Sequence, residues 1–171
     1  MKINKILVAL LVVIVGSSLA LAAAPQKGKK YAPLEFKKGE MYLTPQIGLN
    51  SYAVPFGANF EYAMTENIGI GGTVMMWIWS QGTIIMPSVD GAYHFTRLDV
   101  DKLDLFAGAS LGFAIFSAKG GYSGSSGLYL SPFVAGRYWF SEKMAVSLRL
   151  NFSVIGDWTG VGGLLGVTFP I

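Results

Sequence analysis

The feature that most constrains this fold is a two-residue alternation of side chains that starts after Glu40 and continues to the C-terminus. It divides into eight stretches of roughly 9–13 residues, each with an apolar side and a side of small or polar residues. In the seventh stretch the apolar side is Met144, Val146, Leu148, Leu150 and Phe152, and the opposite side is Ala145, Ser147, Arg149 and Asn151. A period of two is that of β-strands whose faces meet different surroundings. The sequence therefore predicts an all-β fold.

The apolar side decides where these strands can reside. It is continuous through all eight stretches, whereas the other side carries Gly, Ala, Ser, Thr and nearly every charge of the strands. A ring of eight strands encloses only enough space for side chains, so small and polar residues fit the inside and the apolar side faces lipid. An open edge in hydrocarbon would leave backbone groups unpaired. We therefore predict a closed eight-stranded antiparallel up-and-down transmembrane β-barrel.

Composition agrees with a small aqueous surface. Apolar residues make up 52% of the chain and charged residues 13%, about half the charged share of a soluble domain. The net charge of +3 gives no electrostatic reason to expect nucleic acid as a partner. The absence of cysteine excludes disulfides and thiolate metal sites, and no cofactor is expected.

The N-terminus has the features of an export signal. Lys2 and Lys5 precede an aliphatic run, and Ala20-Leu21-Ala22 supplies the small residues that signal peptidase reads. Residues 1–22 are therefore predicted to be a signal peptide; a membrane-anchoring helix is the alternative, but the run is shorter than the ~20 residues of a spanning helix. Residues 23–40, rich in lysine, are predicted to be a basic, flexible periplasmic leader, and residues 41–171 the barrel.

Bulky outward residues recur near the ends of the second, fourth and sixth stretches. They are Tyr62, Met64, Tyr93, Phe95, Tyr138 and Phe140. Alternate strands run in the same direction, so these side chains collect at one rim and are predicted to form a girdle at the membrane interface. The tight turns that follow, at residues 65–67 and 141–143, indicate that this rim is periplasmic.

Six ionisable residues are predicted to face the lumen as one polar network. They are Glu61, Asp90, His94, Asp104, Arg137 and Arg149. Glu61 and Arg137 each precede a rim tyrosine, and their strands stand opposite in an eight-stranded ring, so we expect the two to approach across the lumen. The network is either a charged gate or, as we expect, a plug that satisfies buried charge.

Residues 40–171 resemble the small eight-stranded outer-membrane barrels of the outer-membrane-protein-A and -X type. The resemblance rests on the eight strands, the rim aromatics and the final strand, which ends Val167-Thr168-Phe169-Pro170-Ile171. It implies the bacterial outer membrane as location, the outer-membrane assembly machinery, membrane lipids and lipopolysaccharide as partners, and a monomer. Such barrels usually end on an aromatic residue, whereas this chain ends on Ile171.

Three prolines fall inside predicted strands, where each removes a hydrogen bond of the ladder. Pro87 and Pro132 are predicted to mark strand starts, and Pro45 is predicted to cause a bulge or a late start of the first strand.

The functional prediction is a non-enzymatic outer-membrane barrel with a structural or interaction role in the cell envelope and a plugged lumen. One alternative is a narrow passive pore, another is a lipid A-modifying enzyme, and a soluble periplasmic barrel is a further one. The enzyme would need His94, the single histidine, beside a serine nucleophile and an acid. His94 is predicted to face inward, away from lipid substrates. One histidine and no cysteine give no evident transition-metal ligand set.

Overall fold

The computed structural model describes residues 36–50, 54–80, 82–96, 102–118, 125–154 and 160–171. Eight strands follow one another: β1 Met41–Asn50, β2 Phe56–Ala63, β3 Ile68–Trp79, β4 Gly82–His94, β5 Leu103–Ala118, β6 Ser125–Ser141, β7 Met144–Ser153 and β8 Gly160–Pro170. The predicted signal peptide and most of the predicted leader lie outside the described residues. Within the described ranges, no helix has the length and apolarity needed to cross a membrane.

Every strand pairs antiparallel with its neighbours in chain order, and β1 pairs with β8 to close the ring. At this closing seam Leu43 lies opposite Phe169 and Ile47 lies opposite Leu165. The last backbone contact, from Ile171 N–H to the Met41 carbonyl at 2.9 Å, ties the C-terminus to the start of β1. The prediction of a closed, eight-stranded, up-and-down antiparallel barrel is confirmed.

The two faces of the strands are sorted as the alternation predicts. In β7 the side chain of Leu148 is 53% exposed on the outside, while its neighbours Ser147 and Arg149 are 7% and 9% exposed on the inside. The same sorting places large apolar side chains on the outer surface of all eight strands, for example Leu43, Phe60, Val74, Val89, Leu111, Val134, Leu148 and Leu165. The lumen holds small and polar residues together with large side chains such as Trp77 and Phe133, because eight strands enclose only enough space for side chains.

The predictions for the prolines are wrong. β4 begins at Gly82 and β6 at Ser125, so Pro87 and Pro132 lie within strands, and the β1–β2 register passes through Pro45 without a shift. Each proline faces a residue of the preceding or following strand, Pro45 opposite Ala58 for instance. Pairing on the other side skips the proline: β1 and β8 pair at Leu43 and Gln46 with one constant register. The β1–β8 ladder thus lacks pairs at Thr44 and Pro45, and this interruption accommodates a proline, which has no N–H to donate.

The hairpin of β5 and β6 is longer than the sequence indicated. From its glycine and serine content the segment of residues 117–127 is predicted to be a connection between strands, yet Ser117 and Ala118 belong to β5, and Ser125 to Gly127 belong to β6. Ser125 lies opposite Phe116 and Gly127 opposite Ala114. Cross-strand pairing with an established neighbour outweighs the low β-propensity of glycine and serine at these positions.

Candidate functional site

Two charged clusters and one apolar cluster lie one above the other in the lumen. We call the end that carries Met41, Ile171 and the turns at residues 64–67 and 142–143 the turn end. Nearest to it lies the lower charged cluster, which consists of Glu61, His94, Asp104 and Arg137. Above it lies the upper charged cluster of Asp90 and Arg149 with their polar neighbours, and above that an apolar cluster consisting of Met75, Trp77, Ile84, Met86, Ala114, Tyr129 and Leu164.

The lower charged cluster is a closed ring of alternating charges. His94 Nε2 lies 2.9 Å from Glu61 Oε1, and His94 Nδ1 lies 2.9 Å from Asp104 Oδ1. The Arg137 guanidinium joins the same two carboxylates, at 2.8 Å from Glu61 Oε2 and 3.4 Å from Asp104 Oδ2. Both histidine nitrogens thus face carboxylate oxygens, and both can donate only in the imidazolium form. Two acids and two bases then leave the cluster with no net charge.

The register of the barrel assembles this ring from distant parts of the chain. Asp104 and Arg137 face each other across the β5–β6 ladder, His94 pairs with Phe106 two residues further along β5, and Glu61 reaches in from β2. Glu61 and Arg137, which the sequence led us to expect close together, are in contact. The contact of His94 with Asp104 was not predicted: the short β4–β5 connection indicates that the two lie near each other, but the register that joins them is seen only in the structure.

These charges are almost completely removed from solvent. Arg137 is 1% exposed, His94 0%, and Glu61 and Asp104 5% each. Aromatic rings cover them: the Arg137 Cζ atom lies 5.1 Å from the ring centre of Tyr42 and 5.0 Å from that of Phe106. Buried ions without partners would be strongly destabilising, which explains why each carboxylate has two basic partners.

The aromatic side chain of Phe36 also covers the lower charged cluster, and its position corrects the prediction of a flexible leader. The leader was expected to be flexible through Glu40, but Phe36 is 3% exposed and stacks on His94 with ring centres 3.5 Å apart. It packs within a buried cluster that also contains Tyr42, Ala63, Trp139 and Ala145. A solvated segment would have left this apolar cluster uncovered. The residues 23–35 lie outside the described part of the chain.

Gly69 makes room for Glu61. A Cβ atom at Gly69 would lie 2.3 Å from Glu61 Oε1 and 2.9 Å from its carboxyl carbon. The Glu61 side chain therefore crosses the backbone of β3 on its way to His94 and Arg137, and only a glycine permits this approach. The alternation places Gly69 on the inward side of β3, but nothing in the sequence indicated this role.

The upper charged cluster is organised around Asp90. Its carboxylate accepts hydrogen bonds from Arg149 Nη1 at 3.1 Å, Asn59 Nδ2 at 3.1 Å and Ser88 Oγ at 3.0 Å, and from the hydroxyl of Thr73. Arg149 also donates to Asn151 Oδ1 at 2.8 Å and to the Ser110 hydroxyl.

The face of the Arg149 guanidinium is covered as well. Its Cζ atom lies 3.6 Å from the ring centre of Phe133. A cavity of only about 10 Å³, lined by Asn59, Glu61, Asp90, Phe133 and Arg149 among others, separates the two charged clusters. That is room for about one water molecule.

The arrangement of His94 bears on the enzymatic alternative. Both of its ring nitrogens are occupied by carboxylates, its faces are stacked on Phe36 and Phe106, and it has no exposed surface. A nucleophilic hydroxyl would have to displace Glu61 or Asp104 to reach a ring nitrogen. Among the described residues, no group of three His, Cys, Asp or Glu side chains has an arrangement that could hold a metal ion.

The bulky residues predicted to form a rim girdle lie near the turn end of β2, β4 and β6. Tyr62, Met64, Tyr138 and Phe140 are between 40% and 52% exposed. Tyr93 and Phe95 are partly buried and contact each other edge to face, with ring centres 5.5 Å apart. All six therefore project outward within a narrow band at one end of the barrel.

Replacing Arg137 tests the energetic role of the lower charged cluster. Arg137→Ala leaves Glu61 and Asp104 buried with a single cationic partner, so we expect the free energy of unfolding to fall by about 3–5 kcal/mol. Urea titration of the protein refolded in lipid vesicles measures it. Lys143→Ala, in an exposed turn, is the control and should change stability by less than about 0.5 kcal/mol. An Arg137→Ala variant as stable as wild type would refute this role.

A matched pair of glycine variants tests whether the Glu61 side chain needs the space at Gly69 in β3. We expect Gly69→Ala to push the Glu61 carboxylate away from its partners and to lower the free energy of unfolding by about 1–3 kcal/mol. Gly91→Ala is the control, since a Cβ atom there meets nothing within 4 Å. The same urea titration compares them, and equal stability of the two variants would contradict the proposed contact.

Comparison with known proteins finds relatives in structure only. No protein-family model matches the chain, and no curated protein matches it in sequence. The N-terminal β-barrel domain of Pseudomonas aeruginosa OprF superposes with a TM-score of 0.66 at 15% identity, over 78% of this chain and 98% of that one. A de novo designed transmembrane β-barrel gives a TM-score of 0.58 at 12% identity, over 79% and 98% of the two chains.

A third match is the Yersinia pestis outer membrane protein Ail in a phospholipid bilayer nanodisc. Its TM-score is 0.52 at 15% identity, over 78% of this chain and all of that one (100%). At such low identity these likenesses establish the fold and carry no function with them. This chain has the fold of the small eight-stranded transmembrane β-barrels.

Proposed function

We propose that the mature protein is an integral β-barrel of the bacterial outer membrane, exported by its signal peptide, with a structural or interaction role in the envelope. In this proposal the lumen is plugged by side chains and does not conduct. The observation that carries it is the combination of an apolar outer surface on all eight strands with buried, mutually paired charges inside.

The outer surface supports a lipid environment. Leu49, Val89 and Val161 are 69%, 66% and 59% exposed, and the exposed apolar side chains run continuously around the ring. Monomeric proteins in water rarely expose an apolar patch of more than a few hundred Å². Lipid tails satisfy such a surface, and the closed ladder leaves no unpaired strand edge to face them.

The bulky residues at the turn end support an orientation. We propose that Tyr62, Met64, Tyr93, Phe95, Tyr138 and Phe140 form a girdle at the periplasmic membrane interface, where aromatic side chains contact both lipid tails and head groups. Short turns at this end are typical of the periplasmic side. The opposite rim then faces lipopolysaccharide, and the final strand is presented to the assembly machinery.

The interior supports a plug rather than a pore. Six charged side chains pair within two clusters, and above them the apolar cluster includes Trp77, Met86 and Tyr129, all less than 9% exposed. Ions crossing this lumen would have to break the buried pairs and then pass the apolar side chains without hydration. The paired charges therefore serve to fill the lumen at low electrostatic cost.

The membrane environment is tested by fractionation and by a pair of arginine variants. We expect the mature protein in the outer-membrane fraction, with a gel mobility that shifts on boiling in SDS. Val74→Arg, halfway along β3, should lower the free energy of unfolding in vesicles by about 2–4 kcal/mol, and the control Met64→Arg, near the rim, by about 0–1 kcal/mol. A stable monomer in buffer without detergent would overturn the proposal.

Planar bilayer recordings test the plug. Purified wild-type barrel, shown to be folded by its gel mobility, should insert without producing conductance steps, because the paired charges and the apolar cluster would leave no continuous wet path between the described strands. A large porin in the same bilayers serves as the positive control. Reproducible single-channel steps from the wild-type protein would favour the narrow-pore alternative and exclude the plugged lumen.

A further inference from the structure

The five residues that precede β1 fold back into the mouth of the barrel at its turn end. We call residues 36–40 the N-terminal cap. Its anchor is Phe36, which lies 3.5 Å from the His94 ring, centre to centre, with an angle of 7° between the planes. The opposite face of His94 stacks on Phe106 at 4.6 Å and 17°. His94 is therefore enclosed between two rings, and only Phe36 comes from outside the barrel strands.

The faces and edges of His94 meet different groups. Its two ring nitrogens face Glu61 and Asp104 in the ring plane, and its faces meet the π surfaces of Phe36 and Phe106. An imidazolium is stabilised by both arrangements, since aromatic faces attract cations. Phe36 thus completes the enclosure of the lower charged cluster from the mouth side, as the absence of exposed surface on His94 shows.

A defined turn holds the cap in place. Glu40 N–H donates to the Lys37 carbonyl at 3.1 Å, and Gly39 has a φ of +87°, the value required at the third position of a type II turn. Gly39 N–H also donates to the Ala63 carbonyl at 2.8 Å, and Ala63 N–H donates back to Glu40 at 2.9 Å.

Tyr42 joins the two ends of this turn. Its hydroxyl accepts a hydrogen bond from Lys37 N–H at 2.9 Å and donates one to Glu40 Oε2 at 2.8 Å. The cap is therefore an ordered element with its own hydrogen bonds, and these bonds aim Phe36 into the lumen.

We infer that the N-terminal cap is a cis-acting closure of the turn-end mouth, which shields the lower charged cluster from water by seating Phe36 on His94. This goes beyond the plug proposed above, in which side chains of the strands fill the lumen, and it holds whichever membrane contains the barrel. Changing either the anchor or the turn opens the mouth while the strands remain paired.

The single histidine of the chain provides a specific readout. Diethylpyrocarbonate acylates accessible imidazole nitrogens, and mass spectrometry of the His94 peptide measures the rate in the full-length mature protein folded in detergent micelles. We expect His94 to be protected in wild type and to react at least about tenfold faster in Phe36→Ala, because water that enters the open mouth competes for Glu61 and Asp104 and frees a ring nitrogen of His94. Phe140→Ala removes an outward-facing ring at the same end and should react like wild type.

Gly39→Ala is the second variant and leaves Phe36 and all strand residues unchanged. Its Cβ atom meets nothing within 4 Å, so only the left-handed backbone conformation becomes unfavourable, and His94 should react at a rate between those of wild type and Phe36→Ala. Folding of each variant is checked by gel mobility. The inference fails if His94 stays fully protected in both variants, or if wild-type His94 reacts as fast as in urea-unfolded protein.

Discussion

The rest of the structure depends on the closure of the backbone ladder between β1 and β8. Once eight strands close on themselves, inward side chains lose access to bulk solvent, and outward ones form a continuous apolar surface. Both faces then have to be satisfied separately, the outer one by lipid tails and the inner one by its own members. A polar group inside the barrel therefore has to be hydrogen-bonded or ion-paired with another group inside the barrel.

The lower charged cluster shows how that requirement is met. Glu61, His94, Asp104 and Arg137 come from four strands, yet each carboxylate contacts both bases and each base contacts both carboxylates. Such a closed arrangement gains little over an apolar core, but it becomes strongly destabilising if one member is lost. The aromatic rings of Tyr42 and Phe106 lie over Arg137 and reduce the polar surface further. The ion pairs of the lower charged cluster therefore occupy space in the lumen and also join four strands in one register.

Much of this arrangement could be predicted because strand periodicity fixes side-chain direction. The inward positions of all six ionisable residues follow from the alternation, and the contact of Glu61 with Arg137 follows from their similar depth on opposite strands. The pairing of His94 with Asp104 depends on the β4–β5 register, which the sequence did not specify. The strand starts predicted at Pro87 and Pro132 were wrong, because a proline can lie within a strand where the ladder on one side is interrupted.

The sequence by itself determined the eight strands, their two faces and the ring that these faces require, because a period of two dictates which side chains share a solvent. The tertiary structure alone decided which charges meet and how the mouth is closed. Ring register sets the distances between side chains on different strands, and Phe36 reads as part of a polar leader until the barrel provides a buried site for its ring. The local pattern therefore fixes the direction in which each side chain points, whereas its partners depend on contacts between residues far apart in the chain.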